Sequence, residues 1–134
     1  IRMNFLNAAF FRLQLWGALD KMDEEQMREV RDGVAFCESL RDFKRRATAF
    51  FPLGFCKFFD ETVAYGYRDG DRAYLAVYNL GGDRYKEIPL SFRGEARVAY
   101  PVAGGASASV SDGVLSVACK GERDACIVEV RDRK

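Results

Sequence analysis

A chain of 134 residues, about half of them apolar, has the material for one compact domain with its own core and a helical lead-in. Its 21 basic and 20 acidic residues are interleaved and leave a formal charge of +1, which argues against nucleic acid or an anionic membrane as partner. It contains no histidine, so a Ser-His-Asp or Cys-His site within the chain is excluded and the commonest metal ligand is missing.

The opening stretch, Ile1 to Trp16, is almost continuously apolar, with Arg2, Asn4, Asn7, Arg12 and Gln14 as its polar members. A segment apolar on nearly every side predicts burial on several sides and a larger core to sit in. Asp23 then reads as a helix N-cap: Glu24 and Glu25 lie near the positive end of the dipole, Gln26 completes a capping box, and Met22 and Met27 form a hydrophobic staple. Apolar residues at Met27, Val30, Val34, Cys37 and Leu40, widened by Phe36 and Phe43, make one face of an amphipathic helix that runs to about Arg46, before Pro52 forbids continuation. The Phe-rich run Phe50, Phe51, Phe55, Phe58 and Phe59 is read as a hydrophobic joint between two parts of the chain.

From Val63 onward the period is two. Val63 to Tyr67 and Ala73 to Tyr78 bracket Arg68-Asp69-Gly70-Asp71, an Asp-Gly hairpin signal. Gly81-Gly82-Asp83 turns the chain, and Tyr85 to Leu90, Ala96 to Pro101 and Ala108 to Val110 read as short strands. Asp112-Gly113 gives a second hairpin into Val114 to Cys119, and Ala125 to Arg131 closes the series. Roughly seven strands at this spacing predict a mainly β fold, an antiparallel β-sandwich or Greek-key barrel preceded by two helices.

The residues that chemistry would use have plainer readings beside them. Asp69 and Asp71 resemble a glycosidase carboxylate pair in spacing, but Asp-Gly-Asp is turn chemistry. Asp60-Glu61 reads as a solvated loop clamped by a nearby Arg. Gly81-Gly82 and Gly104-Gly105 open no helix and carry no Gly-Lys-Ser/Thr, so they are turns rather than phosphate loops. Tyr65, Tyr67, Tyr74, Tyr78, Tyr85 and Tyr100 are expected to pack in the sandwich, with a sugar-stacking platform as the alternative. Arg12, Gln14 and Trp16 are the candidate substrate contacts, an indole and a guanidinium able to hold a sugar if their segment lines a barrel mouth. The chain offers no catalytic residue set and no metal or cofactor motif.

Cys37, Cys56, Cys119 and Cys126 are scattered without a C-x-x-C pair and are read as buried reduced thiols, with one Cys119–Cys126 disulfide as the alternative in an oxidising compartment. No stretch reaches the ~18 to 20 consecutive apolar residues of a membrane-spanning helix, and the first residues lack the order of a signal peptide. A start at Ile1 suggests part of a longer protein, and the expected location is cytoplasmic.

The order of these features resembles the C-terminal region of a family 36 glycoside hydrolase, the α-galactosidase family. The likeness is carried by Leu19-Asp20-Lys21-Met22 before the Glu-rich helix start, the seam Phe51-Pro52-Leu53-Gly54-Phe55, the hairpin Val63 to Val77, the Ile88-Pro89-Leu90 strand and the Ala96 to Pro101 strand. It implies a parent enzyme with a (β/α)8 barrel that cleaves terminal α-galactosides with retention, through two aspartates that lie before this chain begins. Residues 1–50 would be the helical end of that barrel and 51–134 a structural β-sandwich domain, partnered by the barrel and by further copies in a homo-oligomer. In many relatives the segment matching Arg12 to Gly17 reads more like Arg-x-His-x-Ser-Gly; here Gln14 and Trp16 replace the His and Ser, a departure that bears on whether the parent prefers galactose. A carbohydrate-binding module, or the terminal domain of an α-glucosidase or amylase relative, is the alternative.

Overall fold

The Gly70-Asp71 turn folds β2 (Thr62–Asp69) back on β3 (Arg72–Asn79), with Asp69 opposite Arg72 and Gly70 at φ +58°. That left-handed conformation is open to glycine without a Cβ penalty. The computed structural model describes residues 1–15 and 17–133. β1 (Thr48–Phe50) extends the free edge of β2, while β8 (Asp124–Asp132) pairs with β3 and β5 (Gly94–Tyr100) pairs with β8. The result is a five-stranded antiparallel sheet in the order β1-β2-β3-β8-β5. A second sheet of three strands, also antiparallel, is built from β4 (Tyr85–Pro89), β6 (Ser107–Ser111) and β7 (Val114–Ala118) in the order β4-β7-β6. Its hairpin turns on Asp112 and Gly113, both at positive φ (49° and 78°), the pattern that matches the twist of the flanking strands.

The two sheets form the predicted sandwich. Between them lies a core of Ala64, Leu75, Val77, Ile88, Phe92, Leu115, Val117, Cys126, Val128 and Val130. The alternate side chains of β3 and β8, among them Tyr74, Ala76, Tyr78, Ala125 and Ile127, face the other way and join a second core beneath the helices. β3 and β8 are therefore buried on both faces, so the period of two expected there is absent: Ala73 to Tyr78 is a continuous apolar run, and Ala125 to Val130 is broken by Glu129.

The helical layer covers the outer face of the five-stranded sheet. Helix α1 (Arg2–Ala9) buries Phe5, Leu6 and Ala9. Helix α2 (Glu24–Ser39) begins with the expected capping box: Gln26 N donates to Asp23 Oδ1 at 2.8 Å and Asp23 N donates to Gln26 Oε1 at 3.1 Å. The single helix expected as far as Arg46 is interrupted at Leu40 and resumes as α3 (Arg41–Arg46). α1 lies close against α2 because Gly33 has no side chain: a Cβ there would stand 2.3 Å from the Phe5 ring. Lys44 of α3 reaches across to the end of α1, donating to the carbonyls of Ala9 (2.7 Å) and Phe11 (3.1 Å), which α1 would otherwise leave unpaired. Tyr78 joins helix to sheet, donating to Asn7 Oδ1 at 2.8 Å and stacking on Tyr65. Burial raises its phenol well above the ordinary value, with the Tyr65 hydrogen bond adding to that.

Two expectations need amendment. β1 has no counterpart among the seven expected strands, and it lies within residues 1–50 while pairing with β2 beyond them. The opening segment is not buried all round: Phe5, Leu6, Ala9 and Phe10 are inside, but Phe11 and Leu15 are exposed, because the sheet and α2 cover one side of it only.

Candidate functional site

Of the three nominated contact residues, the two that are described, Arg12 and Gln14, do not line a common cavity. Gln14 is exposed and lines a cavity of about 130 Å³ with Leu13, Leu15, Leu19, Met22 and Val30 at the α1–α2 junction. Arg12 is exposed and does not line that cavity. Trp16 lies outside the described residues. A cavity this small offers a ligand two side-chain amides, those of Gln14 and Asn4, too little to orient the many hydroxyls of a sugar.

Next to this junction lies an uncovered aromatic surface. Tyr65 of β2 links two exposed rings, Phe11 after α1 (centroids 6.2 Å apart) and Phe51 after β1 (6.5 Å), and Phe51 in turn packs on Phe55 at 4.7 Å. Further along the same loop Phe58 and Phe59 pack edge to face at 5.0 Å, yet are 93% and 91% exposed. Rings left this open hold back the ~1.5 to 3 kcal/mol that burying each would contribute. Of the five rings read as a joint, Phe51, Phe55, Phe58 and Phe59 are exposed and Phe50 packs against the sandwich core.

The most organised polar group is on the opposite flank. Glu129 of β8 is 1% exposed and is held by three arginines: Arg72 Nε at 2.6 Å and Arg131 Nε at 3.0 Å donate to Oε1, and Arg97 Nε donates to Oε2 at 2.7 Å. Arg72 is fixed in turn by Tyr74, whose hydroxyl accepts from it and whose ring lies 4.9 Å below the guanidinium. Burial pushes the Glu129 carboxyl up, but the hydrogen bonds from Arg97 and Arg131 and the charge of Arg72 outweigh it, and the net shift is downward. A carboxylate so ionised and so fully engaged is a poor proton donor, so the cluster is a charge clamp rather than a general acid. Sequence reasoning missed it. The available signal was Glu129 itself, the charged residue in the run Ala125 to Val130.

The other nominated groups take structural parts. Asp69 pairs with Arg46 at 3.2 Å beside the hairpin turn. Asp60 accepts the Lys57 backbone N–H at 2.6 Å rather than an Arg clamp, and Glu61 packs beside Gly81 and Gly82. Tyr74, Tyr78 and Tyr100 are buried, Tyr65 and Tyr67 pack against the helix-side core, and Tyr85 is exposed beneath Arg84. A groove of about 550 Å³ runs between α2 and residues 99–103; the salt bridge Arg2–Glu29 (2.8 Å) lies on it, and its Phe36 and Tyr100 stack on each other.

All four cysteines are free, so the alternative Cys119–Cys126 bond is not formed; Cys56 is exposed, contrary to the expectation of burial, because its loop runs outside the sheet. Burial raises the thiols of Cys37 and Cys119, and that of Cys126 to about 12. Among the described residues no group of His, Cys, Asp or Glu converges as a metal site, and no helix is long and apolar enough to cross a membrane. No protein-family model matches the chain, and no curated protein matches it.

Proposed function

We propose that this chain is the C-terminal region of a retaining α-galactosidase-like glycoside hydrolase of family 36, and that its sandwich is a structural domain docked on an upstream catalytic barrel. The observation that carries the reading is the contrast between a closed sandwich and the open aromatic surface of Phe11, Phe51 and Phe55, with Phe58 and Phe59 on the same loop. That surface falls at the seam where the resemblance puts the barrel, and its rings are apolar enough to be buried by one. On this reading the catalytic aspartates belong to the barrel and α1 and α2 to its last helical part. The substrate is a terminal α-galactoside, homo-oligomer contacts are supplied by the assembled enzyme, and the compartment is cytoplasmic, in keeping with four free thiols.

Two experiments test this. The isolated chain, titrated with galactose, melibiose and raffinose while Trp16 fluorescence is followed, should give neither a saturable signal nor hydrolysis of a chromogenic α-galactoside. Turnover would overthrow the upstream placement of the chemistry, and a saturable signal without turnover would favour a carbohydrate-binding module. In the full enzyme, Phe51→Ala and Phe59→Ala should each lower the Tm while kcat/KM changes little; an unchanged Tm sinks the docking role.

A further inference from the structure

We propose that the guanidinium arms of Arg97 and Arg131, held from below by Glu129, form a binding site for a small oxyanion, a carboxylate or a phosphate, in the groove between β5 and β8. The first ground is placement. Arg97 stands directly opposite Glu129 in the β5–β8 register, and Arg131 lies two residues further along β8. Diagonal neighbours of this kind have Cα atoms about 7 to 8 Å apart, a span that two long side chains can close onto one anion. A groove of about 270 Å³ opens there, lined by Glu95, Ala96, Arg97, Glu129 and Arg131.

The second ground is charge. Arg72, Arg97 and Arg131 share one carboxylate, so the clamp carries two positive charges in excess. The neighbouring Arg133 and Glu95 pair with each other and cancel. Two carboxylates act against an anion here: Glu95, which lines the groove and is paired with Arg133, and Asp71, whose charge reaches Arg131.

The third ground is unused donor capacity. Among the described residues Arg131 gives Glu129 its Nε alone, and both Arg131 (60%) and Arg97 (69%) have exposed side chains. A guanidinium locked on one edge by a buried carboxylate presents its remaining N–H groups in a fixed direction, which lowers the entropic cost of accepting an oxyanion in a forked geometry. Two arms and a small surplus suit one anionic group rather than a polyanion.

The inference does not depend on the glycosidase reading. Its test follows the Nε–Hε resonances of Arg97 and Arg131 by NMR while inorganic phosphate, or in a second arm citrate, is added at constant ionic strength against sodium chloride. Saturable shifts of these two arginines are expected. A response to phosphate alone assigns a phosphate ligand, to citrate alone a carboxylate ligand, and to both a general oxyanion site. Arg131→Ala should weaken binding about tenfold, and Arg97→Lys, which keeps the charge but loses the fork, should also weaken it with the backbone spectrum retained. Arg84→Ala, on the β4 side of the molecule, should leave it unchanged. No saturable shift with either anion, or the same response to chloride, overturns the proposal.

Discussion

The two faces of the five-stranded sheet are covered to different degrees. Against the three-stranded sheet, Leu75, Val77, Ile88, Leu115, Val128 and Val130 are fully excluded from water. On the helix side the core beneath α1 and α2 is buried too, though several members keep a few per cent of exposure, and it ends in rings left in water: Phe11, Phe51, Phe55, Phe58 and Phe59. The sandwich side closes because two sheets with matched apolar faces satisfy each other. The helix side does not, since three helices, two of them of eight residues or fewer, cannot span the sheet and the 51–61 loop together. Self-sufficiency is thus a property of one face, while the other leaves its outermost aromatic rings in water.

The largest effect should come from opening the closed face. Leu115→Ala removes a side chain with no exposure from the centre of the inter-sheet core and should cost about 2 to 5 kcal/mol. Leu15→Ala, on the open side, should cost less than about 0.5 kcal/mol in the same chain. Urea unfolding of both variants tests the contrast directly. Similar losses would mean that the two faces are not different in kind.

A smaller effect lies at the clamp. Glu129→Gln keeps the shape of the side chain but removes the charge that three arginines share, and should cost about 1 to 3 kcal/mol, toward the low end because those arginines are partly solvated. The sign with pH follows from the direction of the shift. Glu129 has a folded carboxyl below its unfolded value, so its contribution is complete above the ordinary carboxylate range and is lost as pH falls through the folded value. Wild type should therefore lose stability on acidification more steeply than Glu129→Gln. Parallel curves of ΔG against pH for the two proteins would remove Glu129 as a source of the acid sensitivity.

How far the sequence reached depended on whether a feature was local. The hairpins were legible because Gly70-Asp71 and Asp112-Gly113 carry their turn chemistry in two residues, and the α2 start was legible because Asp23 and Gln26 are three apart. The clamp was not, because Arg72 and Arg97 stand 57 and 32 residues from Glu129, and only the strand register brings them together. β1 was missed because three residues, Thr48 to Phe50, show no periodicity. The exposed state of Phe58 and Phe59 was also illegible: aromatic residues in sequence signal burial, and nothing local tells burial within a chain from burial against a neighbour.

That last ambiguity yields the smallest expected effect on this chain and the sharpest view of its open face. Phe58 and Phe59 touch each other and stand in water, so the double change Phe58→Ser and Phe59→Ser should alter the unfolding free energy of the isolated chain by no more than about 0.5 kcal/mol. The edge-to-face pair itself sets the ceiling, since such a contact contributes about 0.5 to 1.5 kcal/mol when buried and less in water. The same change should reduce binding of a hydrophobic dye and any self-association seen by sedimentation, because it removes the most exposed apolar rings of the loop. Stability lost without a change in dye binding would mean that the two rings pack into this domain in solution. The open face would then end at Phe55, and the contrast between the two faces would rest on Phe11, Phe51 and Phe55.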